Sequence, residues 1–320
     1  MRDVAAAVFG ATGFIGRWVA SELNDAGARL TLVVRDDHAA RSVMQQLGIR
    51  GDRCAVDVAD EAVMRQTLRE VRPTVVFNLA GYGVAPEESD AEVAEQINSR
   101  LPKVIAECLY EQPAADWPGQ RIVHVGTAFE YGHVGGTLDE TGPTDPIGWY
   151  GRTKLAGTTG LAATCRRTAL PGLTARLFTV YGPGEHPARL LPSLIAAAAN
   201  SQRLPLTAGH QRRDFTYVRD VAEGLLRLAV SPAEPGAIVN LASGILTPVR
   251  EFAATAADVL GIPPDRLGFG ELPTRADEMV HEPLALKRLQ DVTGWSPSTA
   301  VRDGIADTVR RCGKDSAGGP

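Results

Sequence analysis

Tyr150 and Lys154 stand four residues apart in Tyr150-Gly151-Arg152-Thr153-Lys154. On a helix this spacing puts phenol and amine on one face. A neighbouring ammonium favours phenolate and draws an acid of pKa ~10 toward physiological pH, so the pair can move a proton at a reacting oxygen. Thr127, just past the apolar run Arg121 to Val125, adds a hydroxyl able to orient that oxygen. A second pattern, Gly10-Ala11-Thr12-Gly13-Phe14-Ile15-Gly16, follows the strand-like Val4 to Phe9 and precedes a helix starting at Arg17 to Leu23. Its first glycine permits a tight turn, its second lets the backbone approach a pyrophosphate, and its third lets helix and strand pack closely. The amides opening the helix then face the phosphates. Singly, each pattern is also compatible with an empty turn or a solvated helix face; together they describe hydride transfer from a dinucleotide.

The surrounding chain alternates strand and helix signals: strand Arg29 to Val34, helix Ala39 to Leu47, strand Cys54 to Val56, helix Glu61 to Val71, strand Thr74 to Leu79, long helix Glu92 to Cys108. Such alternation predicts an α/β fold, a Rossmann-type doubly wound parallel sheet whose ligands gather at the carboxyl ends of the strands. The glycines and polar residues fall at those ends: Gly10 to Gly16, Arg35-Asp36, Asp57-Val58, Asn78-Leu79-Ala80-Gly81 and Gly126-Thr127. A helix from Trp149 to Cys165 and a strand from Leu173 to Phe178 follow, then a Pro/Gly-rich segment, Tyr181 to Pro187. We expect a dinucleotide-binding core over 1–178, with 212–242 returning to it, a smaller substrate-binding lobe over 179–211 and 243–313, and a flexible tail over 314–320.

The 320 residues carry a net charge of −5, which gives no sign of a nucleic-acid partner. Cys54, Cys108, Cys165 and Cys312 are far apart in sequence and form no CxxC pair or Cys/His cluster, so reduced thiols and no metal site are expected. The N-terminus runs straight into a strand, and no stretch of 18 apolar residues occurs. A cytoplasmic protein without a membrane partner is the expectation.

Further motifs complete a pattern: Gly126-Thr127-Ala128-Phe129-Glu130-Tyr131-Gly132, Tyr181-Gly182-Pro183, Arg213-Asp214-Phe215-Thr216-Tyr217-Val218-Arg219-Asp220-Val221 and Gly294-Trp295-Ser296-Pro297. With the glycine turn, Asn78-Leu79-Ala80-Gly81 and the Tyr/Lys pair, they make the chain resemble the extended short-chain dehydrogenase/reductase family, in its branch of nucleotide-sugar epimerases, dehydratases and 4-ketoreductases. The resemblance implies that Thr127, Tyr150 and Lys154 are catalytic. It implies cofactor contacts at Gly10, Thr12, Gly13, Phe14, Ile15, Gly16, Arg35, Asp57, Val58, Leu79, Ala80, Gly81 and Asn98, besides Tyr150 and Lys154. Tyr82, Thr127, Ala128, Phe129, Tyr150 and Thr179 would face the sugar, and Arg213 and Arg275 would grip its diphosphate with guanidinium forks.

Departures from the family pattern narrow the reaction. Dehydratases of the branch place an Asp-Glu pair where Ala128 and Phe129 stand, and neither replacement titrates. Glu130, one residue on, points away if the segment is extended. Carbonyl reduction and C4 epimerisation need only the Thr/Tyr/Lys trio. NAD-specific members end the second strand with an acidic residue, whereas Arg35 here suits a 2′-phosphate, so NADP(H) is expected, with NAD(H) through Asp36 as the alternative. The expected activity is NADPH-dependent reduction of the C4 ketone of a nucleoside-diphosphate-4-keto-6-deoxyhexose, with dTDP favoured by family frequency. An NAD-dependent 4-epimerase is the alternative, and a non-catalytic dinucleotide-binding regulator is the alternative of another class. A homodimer through the helices Glu92 to Cys108 and Trp149 to Cys165 is also implied, with Ile97, Leu101, Ile105, Leu109, Leu155 and Leu161 as apolar candidates.

Overall fold

The computed structural model describes residues 1–83, 88–113, 116–274 and 278–317. Its first half repeats strand and helix: β1 (Ala5–Phe9), α1 (Phe14–Asp25), β2 (Arg29–Val34), α2 (Asp37–Leu47), β3 (Asp52–Ala55), α3 (Glu61–Val71) and β4 (Val75–Asn78). α2 and α3 start where Asp36 and Asp60 accept hydrogen bonds from backbone amides two and three residues on. α2 then stops at Gly48, in the left-handed conformation that glycine adopts without strain.

Next come α4 (Ala91–Ala94), a π turn (Glu95–Arg100), α5 (Leu101–Glu111), β5 (Ile122–Thr127), α6 (Gly148–Thr168) and β6 (Gly172–Leu177). The sequence suggests a single helix where α4, the π turn and α5 stand. Pro102 has no N–H to give the carbonyl of Asn98, and the helix widens by a π turn there.

The rest comprises β7 (Thr179–Tyr181), α7 (Leu190–Ala199), β8 (Leu204–Leu206), β9 (Arg212–Tyr217), α8 (Val218–Ala229), β10 (Ala237–Leu241), β11 (Leu246–Pro248), α9 (Val249–Leu260), β12 (Leu267–Phe269), α10 (Lys287–Thr293) and α11 (Val301–Ala317). α11 continues through Lys314 to Ala317, where a frayed tail is expected from the sequence; one glycine, Gly313, is too weak a breaker to end the helix.

Seven strands form one sheet in the order β10-β6-β5-β4-β1-β2-β3, and every pairing is parallel. The order reverses between β1 and β4, so the crevice beyond their carboxyl ends is the topological switch point. β7, β9 and β11 make a separate three-stranded sheet, and β8 pairs with β12. The apolar positions named for a partner surface are used differently: Ile97, Leu101, Ile105, Leu109 and Leu161 are buried in the chain's own core, and only Leu155 is half-exposed. α5 and α6 face each other and the sheet, which consumes those side chains.

Candidate active site

The glycine turn closes as its spacing requires. Gly10 has φ +73°, and a Cβ on Gly16 would stand 2.1 Å from the Gly10 carbonyl oxygen, so the third glycine is what lets α1 seat against the turn. Gly13 is the N-cap of α1 and no side chain occupies the helix's first amides. Those amides suit a pyrophosphate.

Gly10, Thr12, Gly13, Arg35, Val58, Leu79, Ala80 and Gly81 line one cavity at the carboxyl ends of β1, β2 and β4. The side chains of other expected cofactor residues have contacts within the protein. Phe14 and Ile15 pack against the core from the first turn of α1. Asp57 is exposed and accepts from the Ala59 amide. Asp36 is engaged in capping α2 through the His38 and Ala39 amides, which leaves Arg35 as the charged side chain of this strand end lining the cavity.

Asn98 is fully buried, and its amide group bonds to protein: it accepts from the Tyr82 N–H (3.0 Å) and donates to the Tyr82 carbonyl (2.8 Å) and the Thr153 hydroxyl (3.0 Å). It thereby ties the chain at Tyr82 to α6 between Tyr150 and Lys154. Gly157 makes this possible, since a Cβ there would lie 2.0 Å from the Asn98 carbonyl oxygen. Tyr82 is likewise occupied outside the sugar cavity: its hydroxyl accepts from the Asp90 N–H and its ring tilts against Trp149.

A second cavity is lined by Thr127, Ala128, Phe129, Phe178, Thr179, Glu185 and the arginines Arg189, Arg212 and Arg213. Tyr150 hydrogen-bonds the Thr127 side chain, and its ring meets the Phe129 ring edge-on at 6.1 Å between centroids. Lys154 is buried, and its ammonium donates to the Val125 carbonyl at 2.6 Å. Thr127, Tyr150 and Lys154 are thus brought together as their spacing suggests.

The electrostatics differ from the sequence expectation. Burial, with Glu130 and Glu88 adding and Arg189 and the Thr127 bond opposing, pushes the Tyr150 phenol up to about 12. Burial pulls the Lys154 amine down to about 8, against the pull of Glu130. Lys154 gives one of its three N–H donors to Val125, and burial together with the Glu130 charge favours the neutral phenol of Tyr150. His124, buried behind Lys154 and hydrogen-bonded to Asn78, is held well below its ordinary value by burial and by the Lys154 charge.

Arg213 reaches the second cavity, but both arms of its fork hold Glu278, at 2.7 and 2.8 Å. A diphosphate at Arg213 must compete with that carboxylate. Arg275 lies outside the described residues. Arg189 and Arg212 carry no signal in the sequence; Glu185 stands after Tyr181-Gly182-Pro183-Gly184, where family members often have glutamine, and joins them in the cavity wall. Burial pushes the Glu185 carboxyl up to about 7, against the nearby Arg189.

The model of the NAD dependent epimerase/dehydratase family matches residues 6–242. The chain belongs to this family. A family relative, dTDP-6-deoxy-L-talose 4-dehydrogenase (NAD(P)(+)) of Kitasatospora kifunensis, is 28% identical over 94% of this chain and 93% of its own. Among solved family structures, MoeE5 in complex with UDP-glucose and NAD superposes with a TM-score of 0.81 at 25% identity, covering 97% of this chain and 99% of that one. The Thermotoga maritima UDP-glucose 4-epimerase with UDP-glucose gives a TM-score of 0.85 at 21% identity, covering 97% and 99%. It shares the fold. Among the described residues no helix is long and apolar enough to cross a membrane.

Proposed function

We propose that the protein reduces the C4 ketone of a nucleoside-diphosphate-4-keto-6-deoxyhexose, dTDP-linked by preference, with NADPH as hydride donor. One observation carries this reading: at the two positions directly after Thr127 the cavity wall is Ala128 and Phe129, which have no proton to exchange. Eliminating water from the sugar needs an additional acid and base beside C5 and C6. Reduction needs neither. The nicotinamide, when bound, supplies the hydride. Thr127 orients the ketone oxygen, and Tyr150, protonated up to about 12, gives that oxygen its proton as the alkoxide forms. Lys154 then stabilises the phenolate left behind. The name of the Kitasatospora relative, a 4-dehydrogenase of a dTDP-6-deoxysugar, is consistent with this chemistry run in either direction.

The segments 179–211 and 243–313 form the sugar-binding part in this proposal, with Thr179, Arg189 and Arg213 in the cavity wall. A homodimer is part of it too, with Leu155 as the one named apolar position left half-exposed. The test is an assay with purified protein, NADPH and NDP-4-keto-6-deoxyhexoses. One NADPH consumed per sugar reduced is the expected result. No NADPH consumption with the 4-keto sugars, together with interconversion of the corresponding NDP-4-hydroxy sugars at C4 in a parallel assay, replaces the reductase with an epimerase.

Arg35 supports NADPH over NADH, because a 2′-phosphate beside it gains a charge-assisted bond that a ribose hydroxyl does not. Arg35→Ala weakens NADPH binding ~10–100-fold, the scale of a lost bond to a charged group, and leaves NADH within about threefold. Fluorescence titration of both cofactors checks this. Equal losses for the two would assign Arg35 to adenine stacking or loop support.

A further inference from the structure

Glu130 is fully buried behind the reacting residues. One carboxylate oxygen accepts from the Thr127 backbone N–H at 3.0 Å and from the Thr158 hydroxyl at 3.0 Å; the other accepts from Arg176 Nε at 2.8 Å. The Arg176 guanidinium in turn lies over the Tyr131 ring, 4.4 Å from its centroid. Gly126 makes room for the carboxylate, since a Cβ there would stand 2.6 Å from it. The turn Ala128–Glu130 is a reciprocal cap: the Thr127 hydroxyl accepts from the Phe129 amide while Glu130 reaches back to the Thr127 amide.

We propose that Glu130 is a positioning residue for proton transfer: it locks Thr127 from behind and sets a fixed negative charge against Tyr150 and Lys154. The inference rests on the reading that these three residues act on the substrate oxygen. A carboxylate in that place favours the charged form of Lys154 and the neutral form of Tyr150, which is the pairing that proton donation requires. Both directions are present, as Glu130 raises the Lys154 amine and the Tyr150 phenol alike. The other groups facing the pair are accounted for. Arg189 and Glu88 act on Tyr150 with opposite signs. His124, behind Lys154, is kept neutral at ordinary pH by its burial. Arg176 and Tyr131 face Glu130 from its far side. Arg176 neutralises the carboxylate in part and anchors it, so the charge stays where Thr127 needs it.

Lys103, Lys154, Lys287 and Lys314 are the only lysines. Lys154 can therefore be followed by NMR of protein labelled with ¹³C at lysine Cε, with Lys154→Met identifying its resonance. In the parent protein, without cofactor or sugar, its expected midpoint is about 8. In Glu130→Gln the midpoint falls by about one pH unit, the size expected for removing one nearby opposite charge. In the same variant kcat falls about tenfold or more at pH 7 to 8, within the usual range for a disturbed proton donor, with the KM for the sugar little changed. An unmoved Lys154 midpoint overturns the proposal. If Glu130→Gln does not fold, because Arg176 is left without its counter-charge, the Lys154 midpoint is compared between Arg176→Met and Glu130→Val/Arg176→Met, which both lack the guanidinium and differ in the carboxylate, and the lower midpoint is expected in the double variant. The titration contains neither substrate nor cofactor, so it stands even if ketone reduction is not the activity; that failure would show in the assay alone.

Discussion

Tyr150→Phe lowers turnover at least ~100-fold, the scale of losing a positioned proton-transfer group, while fold and NADPH affinity stay close to those of the parent. The phenyl ring keeps the edge-on contact with Phe129 and removes only the hydroxyl bonded to Thr127. The loss therefore falls on kcat, since the sugar keeps its other cavity contacts. Steady-state kinetics with circular dichroism and a cofactor titration separate these effects. Near-parent turnover in a verified sample would remove Tyr150 from the reaction and leave Thr127 as the remaining hydroxyl.

The second large effect is on stability. Arg176→Met leaves the Glu130 carboxylate buried without its counter-charge, as both side chains are almost wholly enclosed. Breaking one side of such a pair costs about 3–5 kcal/mol, whereas replacing both members by apolar residues is often neutral. Urea unfolding at pH 7 should place the single variant in that range below the parent and return much of the loss in Glu130→Val/Arg176→Met. A single variant within 1 kcal/mol or so of the parent would mean that water or the Thr127 and Thr158 bonds already carry the Glu130 charge.

What was legible in the sequence was local. Gly10, Gly13 and Gly16 fix their own geometry over one turn, and Tyr150 and Lys154 share a helix face by spacing alone, so both motifs could be placed without the rest of the chain. The strand-end residues followed from the alternation of strand and helix, because a parallel sheet gathers its carboxyl ends. Three features depend on tertiary context. The Tyr150 phenol was expected to fall and instead rises, since its environment is made by Glu130 and by burial, neither visible from the Tyr/Lys spacing. The bonds of Asn98 to Tyr82 and Thr153, set by the π turn beside Pro102, join segments far apart in the chain that no local pattern connects. Arg213 finds Glu278, a partner 65 residues away that no local pattern announces.

Glu130 is a different case. An extended continuation of β5 would turn it outward, but Thr127-Ala128-Phe129-Glu130 already had the spacing of a capping box. Reading that spacing as a turn would have placed the carboxylate inward, against Thr127. The helix positions offered for a partner subunit were apolar for a simpler reason: amphipathic helices on a sheet bury one face within their own chain first.

The most direct test of ketone reduction follows the hydride itself. The protein is incubated with a dTDP-4-keto-6-deoxyhexose and NADPH deuterated at the transferable position of the nicotinamide, and the sugar product is analysed by NMR and mass spectrometry. Deuterium at C4, one per NADPH oxidised, is the result the account predicts. A 4-keto sugar recovered unreduced and without deuterium, with the NADPH intact, would contradict it.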